Sequence, residues 1–129
     1  MTAGSATSPV VNRLHRQSLE APVREVVALL QDLLSRRLTA YIAGVKSGRS
    51  ITRWASGEIT DIRDPEVEQR LRTAYEIALL LLEHDSRQVV RTWFIGLNPD
   101  LGDIPPVEML RRGHLRETLD AARTFVVAG

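Results

Sequence analysis

From Asp64 the chain carries its longest unbroken helical pattern, and the later part of that pattern, Ile77-Ala78-Leu79-Leu80-Leu81-Leu82, is apolar on every side. A helix with one apolar stripe needs one neighbour, whereas a helix apolar all round has to be enclosed. The start is equally well marked. Asp64 is a capping residue, Pro65 suits a first turn where its missing N–H costs nothing, and Glu66 sits at the positive end of the helix dipole. Val67, Leu71, Ala74, Tyr75, Ala78, Leu81 and Leu82 keep helical spacing to about His84. This is expected to be a central helix, wrapped by the rest of the chain or covered by a partner.

The flanking segments supply shorter helices. After Pro22, the residues Val23, Val26, Val27, Leu30, Leu33 and Leu34 form one apolar stripe. Leu38, Tyr41, Ile42 and Val45 form another, with Thr39 expected as its cap and Gly44 at its end. In "GVKSGRSITRWASGE" a third helix is expected, capped by Ser47 or Ser50 and ended by Gly57. Ile51, Trp54 and Ala55 would face inward, leaving Arg49, Ser50, Thr52 and Arg53 outward. Beyond the central helix, Ser86 to Ile95 reads as a helix with Val89, Val90, Trp93 and Phe94 on one side. "GLNPDLGDIPP" is a turn-dense connector, "PVEMLRRG" a short helix ended by Gly113, and "HLRETLDAARTFVVAG" a last helix with Leu115, Leu119, Ala122 and Val126 in register. No strand alternation and no internal repeat appears. The expected fold is all-α with six or seven helices: a flexible tail over 1–20, rich in Ser, Thr, Ala and Gly to about Ser18, a helix-turn-helix (Xre-like) region over 21–63, the central helix over 64–85, and a C-terminal helical region over 86–129.

Composition narrows the chemistry. With 129 residues, 43% of them apolar, the chain suffices for one compact domain, or a small domain with a helical extension, around an aliphatic core. It has no cysteine, so disulfides, thiol nucleophiles and thiolate metal sites are excluded. The start "MTAGSATSPVV" lacks the pattern of a signal peptide, and the six-residue run from Ile77 to Leu82 is too short to cross a bilayer, so a cytoplasmic protein is expected. His15, His84 and His114 are isolated from one another in sequence, and neither His84-Asp85 nor Asp100 with Asp103 makes a recognisable ligand set. There is no glycine-rich phosphate loop and no nucleophile elbow. No catalytic residue, cofactor or metal is expected.

Charge is unevenly spread. Residues 1–63 carry nine basic against five acidic side chains and residues 64–129 eight against eleven, so a net charge of +1 conceals halves of +4 and −3. Between Leu33 and Gly57 the basic residues Arg36, Arg37, Lys46, Arg49 and Arg53 meet no acid. Such a patch suits a polyanion. A helix-turn-helix needs a short first helix, a small turn residue, apolar residues fixing the crossing, and a polar, basic second helix for the major groove. Ala40, Gly44, Val45, Ile51 and Trp54 suit the structural roles. Arg49 or Arg53 suits a guanine edge and Ser50 or Thr52 a base or phosphate, Lys46, Arg36 and Arg37 are placed for the backbone, and Ser47 suits a cap or a DNA contact. The same residues would also serve a helical hairpin with a solvated basic face.

Taken together, "LTAYIAGVKSGRSITRWASGE", a long apolar helix and "WFIGLNPDLGDIPPVEMLRRG" resemble the Xre/MbcA/ParS antitoxin family over roughly Leu38 to Gly113. The specific part is Trp93-Phe94, Asn98-Pro99, Leu101-Gly102, the proline pair, and Leu110 before Gly113. The resemblance implies a type II antitoxin that binds a RES-domain toxin, an enzyme destroying NAD, and that binds operator DNA, often as a homodimer. By position it implies a toxin-binding surface at Asn98, Leu101, Gly102, Pro105, Met109, Leu110, Arg111, Arg112 and Gly113, with Trp93 and Phe94 holding that module together. Two other classes fit the residues: a stand-alone transcriptional regulator whose C-terminal helices dimerise it, and an interaction module without DNA binding.

Overall fold

The computed structural model describes residues 8–128, beginning at a helix cap: the Ser8 hydroxyl accepts from the Val11 N–H at 3.1 Å, and Pro9 takes the first helical position. Helix α1 runs Pro9–Glu20, which corrects the expectation of a flexible tail over this stretch; residues 1–7 of that tail lie outside the described residues. Small polar composition hid two facts. Ser8-Pro9 is a start signal, and Leu14 and Ser18, one turn apart, are buried where α1 packs on the central helix. Arg72 then ties the end of α1 down, donating to the carbonyls of Ser18 and Ala21 at 3.0 and 2.8 Å.

The remaining helices are α2 (Val23–Leu33), α3 (Arg36–Ala43), α4 (Arg49–Ser56), α5 (Pro65–Leu82), α6 (Arg87–Ile95), α7 (Pro106–Arg111) and α8 (Leu115–Ala128), with a 3-10 turn at Pro99–Leu101. The fold is all-α, and no strand occurs among the described residues. Helix α5 is central: α1, α2, α3, α6, α7 and α8 all pack against it. Its apolar run is enclosed, with Ile77, Ala78, Leu80 and Leu81 buried and Leu79 and Leu82 half-buried. Fully burying one such side chain contributes about 1.5–3 kcal/mol. Glu76 is buried in the same helix, 3.1 Å from His15 Nδ1 and 4.0 Å from the Arg123 guanidinium.

Helix α2 lies between α5 and α4 and buries Val23, Val26, Val27, Leu30 and Leu33. Helix α3 departs from its expected pattern. Its cap is Ser35, whose hydroxyl accepts from Leu38 N–H at 3.0 Å, so the helix takes in Arg36 and Arg37. Thr39 is not the cap: it is fully buried, and its hydroxyl donates to the Ser35 carbonyl at 2.7 Å. The inward face is Thr39, Ala40, Ile42 and Ala43, and Tyr41 turns outward. Gly44 ends the helix with φ +79, a left-handed conformation that costs glycine little. Arg70 of α5 donates to the last carbonyls of α3, Ile42 at 3.1 Å and Ala43 at 2.6 Å.

In the C-terminal part, the Ser86 hydroxyl caps α6, and Trp93 stands edge-on to Phe94 with centroids 5.4 Å apart. Trp93 also meets Phe125 of α8 at 6.4 Å. Val89, expected on the same face, is an exposed rim residue. Helix α7 reaches across to α3, joining the C-terminal part to the N-terminal one.

Candidate nucleic-acid interface

Helix α4 separates its two faces cleanly. Ile51 and Trp54 are buried against α2, and the Trp54 indole N–H donates to the Asp61 carbonyl at 3.2 Å. Arg49 and Thr52 are exposed on the other side, with Arg53 half-exposed beside them. An α-helix with its side chains is about 10–12 Å across, which a major groove about 12 Å wide admits.

Gly44 to Gly48 link α3 to α4, and the structure explains the last of them. Arg36 of α3 lies across Gly48 and donates to Thr52 Oγ1 at 3.2 Å. A Cβ on Gly48 would stand 2.7 Å from Arg36 Nε, so a bare backbone here lets the arginine cross. Gly48 is also the N-cap residue, and no side chain caps α4. Ser47 Oγ reaches only the Arg49 N–H, at 3.4 Å, and Ser50 is half-buried on another side, so neither is the expected cap. Apart from the Arg49 N–H, the first turn of α4 therefore has no side-chain acceptor, and the start of a helix favours an anion.

Arg36, Ser47, Gly48, Arg49, Thr52 and Arg53 line one open depression of about 550 Å³, together with Glu58. Five of the eight residues assigned to DNA from the sequence thus converge on one surface. Lys46 and Arg37 are exposed outside the depression, and Ser50 lines a different hollow with Val45, Trp54 and Ile59. Glu58 was not legible as a member. It accepts from Arg53 Nε at 2.8 Å across the Gly57 cap, a spacing of five residues that no helical pairing rule flags.

The residues assigned to toxin binding divide differently. Leu110 is fully buried, and Leu101 and Asn98 are buried with it. Asn98 organises the connector: its side chain accepts from Asp100 N–H at 2.9 Å, and its carbonyl accepts from Leu101 at 3.0 Å and Asp103 at 2.8 Å. Gly102 and Asp103 follow with φ +66 and +63, which reverses the chain before Pro105. Pro105 and Met109 are half-buried, and Gly102, Arg111, Arg112 and Gly113 are exposed. Arg112 pairs with Glu108 at 2.7 Å. Arg111 is committed to α3, donating to the Tyr41 carbonyl at 2.8 Å and lying 4.5 Å over the Tyr41 ring. Trp93 and Phe94 are buried where they hold α6 to its neighbours.

Among the described residues no three His, Asp or Glu side chains gather as a metal site, and no helix is long and apolar enough to cross a membrane. No protein-family model, curated protein or solved structure matches the chain.

Proposed function

We propose that the chain binds duplex DNA through α4 and acts as the antitoxin of a RES-type, NAD-degrading toxin whose operon it represses. The observation that carries the DNA half is the single depression in which Arg36, Arg49 and Arg53 converge with Ser47 and Thr52 around an uncapped helix start. Guanidinium groups, hydroxyls and free backbone N–H groups are the donors that engage phosphates and guanine edges. The toxin half rests on the family resemblance of residues 93–113 and on the exposed group Gly102, Arg111, Arg112 and Gly113.

A second reading has an observation of its own. Leu101, Leu110 and Asn98 serve the core, and Arg111 serves α3, which leaves fewer residues for a toxin. Exposed Ile95 and Leu97 beside them suit a second copy of the chain, as in a dimeric regulator without a toxin. The deciding experiment induces the neighbouring gene with and without this chain while growth and cellular NAD are followed. Antitoxin action restores both and co-purifies the neighbour. A harmless neighbour, or one unaffected by this chain, leaves the regulator.

A further inference from the structure

The depression on α4 already holds an anion that the chain itself supplies. Glu58 Oε2 accepts from Arg53 Nε at 2.8 Å and lies 2.7 Å from Arg53 Nη2, so both donors on one edge of the guanidinium converge on it. That edge is the one a guanidinium offers to phosphate oxygens. The position of Glu58 is set by backbone. Gly57, with φ +83, turns the chain back at the end of α4; the Ile59 N–H then bonds to the Arg53 carbonyl at 3.2 Å and the Glu58 N–H to Ser56 Oγ at 3.3 Å. Ile59 packs on the core, which fixes the far side of the turn. Glu58 is the one acid among the residues lining the depression, against three arginines. Arg36 is turned to Thr52, and Arg49 has no ion-pair partner among the described residues.

We infer that the Arg53 guanidinium is a phosphate subsite of the DNA interface, and that Glu58 occupies it as an internal stand-in for phosphate until DNA displaces it. The inference rests on the DNA-binding reading above. The pair is suited to exchange: its side chains are 43% and 58% exposed, and a pair so hydrated is weak. A DNA phosphate takes over the same edge, and the freed carboxylate turns to solvent. Glu58 thereby sets a threshold. Weak, non-specific encounters have to displace it, and the affinity of the site is held below what its three arginines would give alone.

The test is a double-mutant cycle on the full chain, read by fluorescence anisotropy with a labelled mixed-sequence DNA duplex at low salt. Glu58→Gln is expected to tighten binding about two- to fivefold. In an Arg53→Ala background the same substitution is expected to do almost nothing, since the occupied edge is gone. Equal gains in both backgrounds would mean that only mean charge matters, and would overturn the inference. Wild-type binding that Glu58→Gln leaves unchanged would overturn it alone, with the DNA reading intact. If neither protein binds the duplex, the DNA reading fails and the inference with it. Nitrogen-15 spectra give an independent readout: the Arg53 Nε–H resonance should move on Glu58→Gln and again on adding duplex to the wild type. A resonance that duplex leaves in place while binding occurs would also overturn the proposal.

Discussion

Helix α4 and the connector from Asn98 to Gly113 each carried a set of residues expected to meet a partner, and the fold treats the two sets differently. On α4 most of the assigned residues stay outside and converge, while Ile51 and Trp54 anchor the helix from beneath. In the connector the most distinctive residues, Asn98, Leu101 and Leu110, are what hold the turn together. An amphipathic helix writes its exposed face into the spacing of its residues. A turn-rich segment does not, because its unusual residues are the ones its backbone requires.

The largest effects should come from the anchors. Trp54→Ala and Leu110→Ala should each destabilise the fold, by about 3–5 and 2–5 kcal/mol respectively, measured by chemical denaturation. A near-neutral Leu110→Ala would move that residue to the partner surface and erase the contrast. Asn98→Ala should cost about 1 kcal/mol through loss of a cap to Asp100, with a matching fall in melting temperature. Should it instead leave stability unchanged and abolish a protein contact, Asn98 belongs to the interface. Arg111→Ala should have the smallest effect, under about 1 kcal/mol for an exposed cation over a ring. It sharpens the comparison, because Arg111 is both exposed and tied to Tyr41. A large loss of partner binding with little loss of stability would give it the second role.

The central helix was legible because its signals are local: a capping Asp, a proline, acid in the first turn and an apolar run that demands enclosure. The inward and outward faces of α4 were legible for the same reason, except at Ser50, which was expected outward and is half-buried on another side. What escaped the sequence is non-local or disguised. Helix α1 was hidden by small polar residues and is held by Arg72 from 51 or more residues away. The end of α3 is finished by Arg70, and Arg111 reaches Tyr41 across 70 positions; neither pairing leaves a trace in periodicity. The buried Glu76, directly before the apolar run, faces His15 of α1 and Arg123 of α8, a setting that exists only once three helices are brought together. In the candidate site, the arginines and hydroxyls were readable as residue types on a face. Their convergence was not, because it depends on Arg36 crossing Gly48 from the preceding helix.

Above all, the depression on α4 should bind DNA. The most direct test compares wild type with the Arg49→Ala/Arg53→Ala double variant on a duplex carrying the chain's own promoter, over a series of salt concentrations. Wild-type affinity, as its logarithm, should fall linearly with the logarithm of salt, with a slope of about −0.9 for each phosphate contacted. The double variant should bind more weakly, by about 1–3 kcal/mol where Arg49 reads a base, and should have a shallower slope from the lost Arg53 phosphate contact, at an unchanged melting temperature. Equal affinity and equal slope in the two proteins would contradict it, and would take the DNA-reading role away from α4.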